Sequence, residues 1–395
     1  MIISPKVRGF ICINAHPQGC AANVQQQIEY IKSKGPYADG PKNVLIVGSS
    51  TGYGLASRIT AVFGYGANTL GVFFEKPPTE RKTASAGYYN AVALDQAANA
   101  AGLYAKSVNG DAFSTGCKEK VIEEIKANMG KIDLVVYSLA SPRRQDPVSG
   151  DVYTSTLKPI GHSYTAKDLN TDTQRVGEIT VEPANDEEIA STVKVMGGED
   201  WQLWIDALVK ADVLADGVKT VAYTYLGEKL TWPIYGQATI GKAKEDLDHA
   251  AGELCEQLSG LNGSAHVCVL KAVVTQASSA IPVMPLYLSI LFKVMQAEGT
   301  HEGCIEQLQR LFTECLYSDN PRVDDANRFR VDELELNPDV QTKVEVIWSQ
   351  VTTENLHELS DFSLYQTEFL RLFGFGVEGI DYEAETMPLV EANFL

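Results

Sequence analysis

The stretch Asn43 to Gly54, NVLIVGSSTGYG, constrains this chain more than any other: a short apolar run breaks off into a turn rich in glycine and hydroxyl groups. Val44 to Val47 are consecutive β-forming apolar residues, and an unbroken run of that kind reads as a strand buried on both faces of a parallel sheet. A turn-prone Gly-Pro-Lys-Asn segment precedes it, and Leu55 to Phe63 has helical spacing. Between strand and helix, Gly48, Gly52 and Gly54 let the backbone turn sharply and approach a ligand closely. Free N–H groups and the dipole at the helix start favour a pyrophosphate there.

A second run, Thr69 to Phe74, reads as the neighbouring strand and ends at Glu75, about 20 residues beyond the turn. A carboxylate at that distance accepts both hydroxyls of an adenosine ribose and repels a 2′-phosphate, which favours NADH over NADPH. The G-x-x-x-G-x-G spacing resembles that of the short-chain dehydrogenase/reductase superfamily, although glycine turns also serve ordinary packing. The expected fold is α/β, a Rossmann-type doubly wound parallel sheet with helices on both faces.

The 395 residues are expected to form a single domain with an N-terminal extension (1–42), a hairpin-type insertion (146–182) and a C-terminal helical extension (300–395). The extension should hold a short strand or hairpin and a helix near Ala21 to Lys34. A helix over Tyr88 to Gly102 should lead to a third strand, Leu103 to Val108. Asp111 and Ala112 then fall at its carboxyl end, where they can meet adenine; Asp111 equally suits a cap for a helix over Phe113 to Asn128. Ile132 to Tyr137 reads as the fourth strand. The small residues Ser138 to Pro142 after it leave room for a ribose and nicotinamide, and Arg143 and Arg144 read either as phosphate contacts or as solvated cations. Two acidic helices (Asp186 to Met196, Glu199 to Leu214), a fifth strand (Val218 to Leu226), a long helix with Thr239 as N-cap and a sixth strand (Ala265 to Val274) follow.

A formal charge of -18 argues against nucleic acid, whose phosphates need a basic face. Seven scattered cysteines suggest reduced thiols and a cytoplasmic setting, and MIISPKVRGF lacks signal-peptide character. Cys12, His16 and Cys20 have ligand-like spacing without an evident fourth ligand, so no metal is expected. The uncharged run Ala272 to Phe292 contains two prolines and several polar residues; a buried strand, loop and helix explain it better than a membrane span.

Tyr235 and Lys244 stand nine residues apart, which on one helix places them on opposite faces. Both reach one site only if Tyr235 lies in the loop before the helix and Lys244 on its first turns, and Pro233 and Gly236 permit that. With Tyr225, they resemble the paired tyrosines and lysine of enoyl-thioester reductases, at a longer tyrosine-to-lysine interval than usual.

That Y-x8-K interval and the segments INAHPQGC, GSSTGYGLASRI, YSLASP, EPANDEE, VKVMGGEDW, TIGKAK and IPVMPLYLS resemble the FabV-type trans-2-enoyl-acyl carrier protein and enoyl-CoA reductases over essentially the whole chain. The resemblance implies NADH as cofactor and an enoyl thioester on acyl carrier protein or coenzyme A as substrate, reduced in the last reductive step of fatty acid elongation. It places Gly48, Ser49, Ser50, Thr51, Gly52 and Tyr53 at the pyrophosphate, Phe74 and Glu75 at the adenosine ribose, and Asp111 and Ala112 at adenine. Leu139, Ala140, Val273, Val274 and Thr275 go to the nicotinamide side. Tyr235 and Lys244 become catalytic, Lys244 also holding the nicotinamide ribose, and Tyr225 shapes the thioester site. A monomer without a membrane span is implied. Two alternatives stay open: a carbonyl reductase using Ser138 or Ser141 with Tyr235, and a non-catalytic NADH-binding module.

Overall fold

The computed structural model describes residues 1–395. Its centre is a sheet of seven parallel strands: β1 (Asn43–Val47), β2 (Asn68–Phe73), β3 (Ala105–Asn109), β4 (Ile132–Tyr137), β5 (Leu214–Thr224), β6 (Ser264–Val269) and β7 (Phe329–Arg330). Their order is β7-β6-β5-β4-β1-β2-β3. The chain starts in the middle, winds outward to β3, then returns to build the other half from β4. The reversal between β1 and β4 opens a crevice at the carboxyl ends of the strands, where such sheets take ligands.

Alternation along β1 explains why the sheet is covered on both sides. Val44 and Ile46 pack against helices Pro17–Lys34, Gly52–Ile59 and Cys304–Arg310 on one face. Leu45 and Val47 point the other way, into a cluster with Val121, Trp201, Trp204 and Leu254. A third apolar cluster lies beyond the strand ends, built from Val274, Tyr287, Leu291, Val344 and Phe362. It walls the crevice. No helix is long and apolar enough to cross a membrane.

β4 and the helix Asp186–Met196 have the expected bounds, and the N-terminal hairpin is present as Val7–Arg8 against Ile11–Cys12. The insertion folds as an antiparallel hairpin, Tyr164–Asn170 against Arg175–Val181, beside a smaller ribbon of Arg143–Gln145 and Val152–Thr154. Other elements differ from the sequence expectation. Helix Glu199–Lys210 stops before Leu214, because Asp212 turns with φ 55° and Leu214 already belongs to β5. At its other end β5 stops at Thr224, short of Tyr225. β6 ends at Val269, so Val273, Val274 and Thr275 sit in a loop and not at a strand end.

Thr239 is not the N-cap of its helix. Ala238 holds that position, while the Thr239 hydroxyl donates 2.5 Å to the Thr156 carbonyl and ties the helix start to the insertion. Asp111 is not a cap either: it accepts from the Phe113 N–H, and Ser114 caps a helix that begins only at Thr115. His16 caps helix Pro17–Lys34 through Nδ1, which accepts from the Gly19 N–H. Arg144 is neither solvated nor free for phosphate, being buried in an ion pair with Glu199 at 2.8 Å. β7, two residues long, carries no sequence pattern and was not expected.

Candidate active site

The turn after β1 requires its glycines for space as much as for conformation. Gly48 has φ 87°, and a Cβ there would stand 2.3 Å from the Ser138 carbonyl oxygen; one on Gly54 would stand 1.9 Å from that of Gly48. The ends of β1 and β4 and the next helix thus meet backbone to backbone. Helix Gly52–Ile59 starts with Thr51 at the N-cap and no side-chain capping bond, which leaves its first N–H groups for a ligand.

At the end of β2, Glu75 is held from three sides. Its Oε1 accepts 2.7 Å from the Ser50 hydroxyl, its N–H donates 2.9 Å to Asn109 Oδ1, and its carbonyl accepts 3.0 Å from Asn109 Nδ2. Gly87 lies so close that a Cβ would come 2.0 Å from Oε1. Phe74, beside it, is 79% exposed. Ala112 is buried past β3, and its carbonyl accepts 2.9 Å from Lys118, which is itself paired with Asp200 at 2.8 Å.

A mainly apolar cavity of about 610 Å³ opens at the β1–β4 crevice. Tyr53, Leu139, Ala140, Tyr225, Tyr235, Lys244, Val273 and Thr275 all line it. Val274 does not; it is buried in the apolar cluster behind the wall. The turn residues Gly48 to Gly52, with Glu75, Asp111 and Ala112, lie outside this cavity, along the ends of β1 to β3.

Tyr235 lies in the turns before helix Thr239–Leu258 and Lys244 on its second turn, the arrangement that the nine-residue interval demands. The loop is braced by a bridge between Pro159 and Ala238, so the insertion supports Tyr235 from outside. The Tyr235 and Tyr225 rings meet edge to face, centroids 5.0 Å apart. Burial pushes the Tyr235 phenol above the ordinary tyrosine range. Lys244 donates 3.3 Å to the Tyr223 carbonyl, and burial lowers its ammonium to about 8, partly offset by Asp248.

Two contributors escaped the sequence reading. Glu335 accepts 2.9 Å from the Tyr225 hydroxyl and 2.7 Å from that of Tyr287, and Asn109 clamps Glu75. Neither carries a local signal; Glu335 lies 110 residues from the tyrosine it meets. Tyr53, already assigned to the turn, donates its hydroxyl to the Lys271 carbonyl.

A doubly wound parallel sheet, a glycine turn at its switch point and a tyrosine and lysine converging on the crevice define a Rossmann-type nucleotide-dependent oxidoreductase. Family models match almost the whole chain: the NAD(P)H binding domain of trans-2-enoyl-CoA reductase over residues 2–80, the trans-2-enoyl-CoA reductase catalytic region over 82–317, and an enoyl reductase FAD binding domain over 323–386. The enoyl-[acyl-carrier-protein] reductase [NADH] of Teredinibacter turnerae is 70% identical, covering 99% of this chain and 98% of its own; that of Pseudomonas aeruginosa is 60% identical over the full length of both. The trans-2-enoyl-CoA reductase of Treponema denticola, solved with NAD, is 51% identical with a TM-score of 0.95. That of Clostridium acetobutulicum, solved with NADH, is 45% identical with the same score; each comparison covers 98% of both chains. The chain belongs to the FabV-type enoyl-[acyl-carrier-protein] and trans-2-enoyl-CoA reductase family.

The crevice fits a nicotinamide dinucleotide: open N–H groups face the turn and Glu75 stands at the β2 end. The segment matched by the flavin-named model does not fit a flavin. Val340, Val344, Phe362 and Phe369 there pack into the apolar cluster with Tyr287, and its one short strand, β7, runs into no glycine turn.

Proposed function

We propose that this chain reduces the carbon–carbon double bond of trans-2-enoyl thioesters with NADH, as the last reductive step of fatty acid elongation. The observation that carries this reading is the convergence of Tyr225, Tyr235 and Lys244 on one apolar cavity at the sheet's switch point. NADH supplies a hydride to the β-carbon, which leaves negative charge on the thioester oxygen. Tyr235 donates its hydroxyl to that oxygen. A hydrogen bond aimed at charge that develops only in the transition state lowers the barrier more than one made equally in the ground state. Lys244 holds a nicotinamide ribose hydroxyl and keeps a positive charge near Tyr235, while Tyr225 shapes the thioester site.

The turn Gly48 to Tyr53 takes the pyrophosphate, Phe74 and Glu75 the adenosine ribose, and Asp111 and Ala112 the adenine. Leu139, Ala140, Val273 and Thr275 receive the nicotinamide side, to which Val274 contributes backbone alone. The relatives, named as enoyl-[acyl-carrier-protein] reductase [NADH] and trans-2-enoyl-CoA reductase, support NADH, with acyl carrier protein or coenzyme A as carrier. The chain acts as one cytoplasmic domain and as a monomer, since the insertion and the residues beyond 300 cover surface of the core; light scattering giving a tetramer mass at micromolar concentration contradicts the monomer.

Loss of NADH absorbance with crotonyl-CoA and with crotonyl-acyl carrier protein tests the activity, and no consumption with either substrate overturns it. A 3-ketoacyl reductase would place a serine hydroxyl beside Tyr235. Ser138 and Ser141 both line the cavity, but the Ser141 hydroxyl donates 2.7 Å to the Arg143 carbonyl and is engaged there. Acetoacetyl-CoA in the same assay separates the two activities.

A further inference from the structure

Glu335 is a fully buried carboxylate that receives three donors at once. Oε1 accepts from the Tyr225 hydroxyl at 2.9 Å and the Tyr287 hydroxyl at 2.7 Å, and Oε2 accepts from the Ala272 N–H at 2.6 Å. Gln341 Nε2 extends the network, donating 3.1 Å to the Tyr287 oxygen and 2.7 Å to the Glu335 carbonyl. Three inward-pointing donors match an ionised carboxylate, which only accepts. Burial holds the carboxyl above its ordinary range, an effect that the Lys271 charge, followed by the three bonds, offsets only in part.

We infer that Glu335 is the positioning residue of the thioester site: it takes the single Tyr225 proton, turns Tyr225 into a hydrogen-bond acceptor toward the cavity, and so leaves Tyr235 as the tyrosine that donates to the substrate oxygen. A phenol carries one proton, and a carboxylate is a stronger acceptor for it than the Thr231 hydroxyl 3.4 Å away. With its proton committed, Tyr225 offers only lone pairs to the cavity and cannot compete with Tyr235 for the developing negative charge. The same carboxylate holds Ala272 at the start of the loop carrying Val273 and Thr275. Substrate side and nicotinamide side therefore share one anchor, supplied by the C-terminal part of the chain.

This rests on the enoyl reductase reading, and a double-mutant cycle tests it. Glu335→Gln keeps the shape but presents an NH2 group to one of the three donors, which frees or misorients Tyr225. At saturating NADH, Glu335→Gln and Tyr225→Phe should each lower kcat/KM for crotonyl-CoA by about tenfold, and the double variant should fall no more than about threefold below the worse single, because both changes remove one interaction. NADH titration supplies a readout that separates the two: Glu335→Gln weakens cofactor binding through Ala272, and Tyr225→Phe does not. Losses that multiply to about a hundredfold overturn the inference, as does a Glu335→Gln variant with native kcat/KM. Glu335→Asp, which retains charge but shortens reach, runs the same cycle if the glutamine variant does not fold. If the unaltered protein consumes no NADH with either crotonyl-CoA or crotonyl-acyl carrier protein, the enoyl reductase reading fails; an active protein with multiplying losses removes Glu335 alone.

Discussion

Ser50 donates its hydroxyl to Glu75 Oε1 across 2.7 Å, joining the turn after β1 to the end of β2 by a side-chain bond between residues 25 apart in sequence. One carboxylate oxygen is thereby occupied and oriented. The other accepts no hydrogen bond from within the protein, as the proposed contact with an adenosine ribose requires, and Asn109 fixes the backbone on both sides of it.

Cofactor choice should follow from this clamp. Glu75 disfavours a 2′-phosphate, while exposed Lys76 next to it is a cation that could receive one. NADH is therefore expected to be preferred but not exclusive, and Glu75→Ala should cut the NADH-to-NADPH ratio of kcat/KM by about tenfold. Equal kcat/KM for the two cofactors in the unaltered protein contradicts the assignment.

Tyr235→Phe removes one hydroxyl and keeps the ring. Turnover of crotonyl-CoA should fall by roughly a hundredfold, as for loss of one oxyanion donor, with NADH affinity nearly unchanged. Tyr225→Phe should cost less and act mainly through substrate. Steady-state kinetics and NADH fluorescence titration read both, and full turnover in Tyr235→Phe makes Tyr225 the next candidate donor.

Lys244 yields a pH prediction of two parts. Burial holds its ammonium at about 8, against an ordinary 10.5. Between those values the unfolded chain retains a proton that the native chain has released, so this residue makes stability rise as pH increases through that window; below it, the buried charge is a constant penalty. Activity should run the other way, with kcat/KM falling above about pH 8 as the ammonium is lost. Lys244→Met should lose both the alkaline limb and the rise in stability, besides weakening NADH and turnover together. Denaturant melts and a pH profile that match the unaltered protein exclude this role.

Gly54→Ala tests the turn itself. Its Cβ would stand 1.9 Å from the Gly48 carbonyl oxygen, a backbone atom that no rotamer change can move away. The turn must shift, and NADH affinity should drop by at least about tenfold, in line with the close backbone approach that such turns require. Native affinity in a folded Gly54→Ala variant shows that the turn does not contact the cofactor.

Local patterns carried much of this protein. The apolar run Val44 to Val47 and the glycines after it specify strand, turn and helix within neighbouring residues, because buried parallel strands and tight backbone approaches leave few residue types to choose from. Ile132–Tyr137 was readable to the residue for the same reason and Asp186–Met196 from its acidic helix start, and the impossibility of placing Tyr235 and Lys244 on one helix face already put Tyr235 in a loop. Element ends were less legible. Val273 to Thr275 are as apolar and β-branched as a strand, yet β6 stops at Val269, where its pairing with β7 stops.

Only the tertiary structure decided what surrounds the reacting groups. β7 is two residues whose pairing with β6 exists by proximity alone, and Arg144 reads as a surface cation until Glu199 is folded against it. Glu335 sits in an acidic stretch, Asp332 to Glu335, that looks solvated in the sequence, yet the fold buries it against Tyr225, Tyr287 and Ala272. Periodicity and turn chemistry act over a few residues and leave their mark in the order of the chain. A buried carboxylate is specified by donors brought to it from remote segments, and that encounter has no counterpart in local sequence.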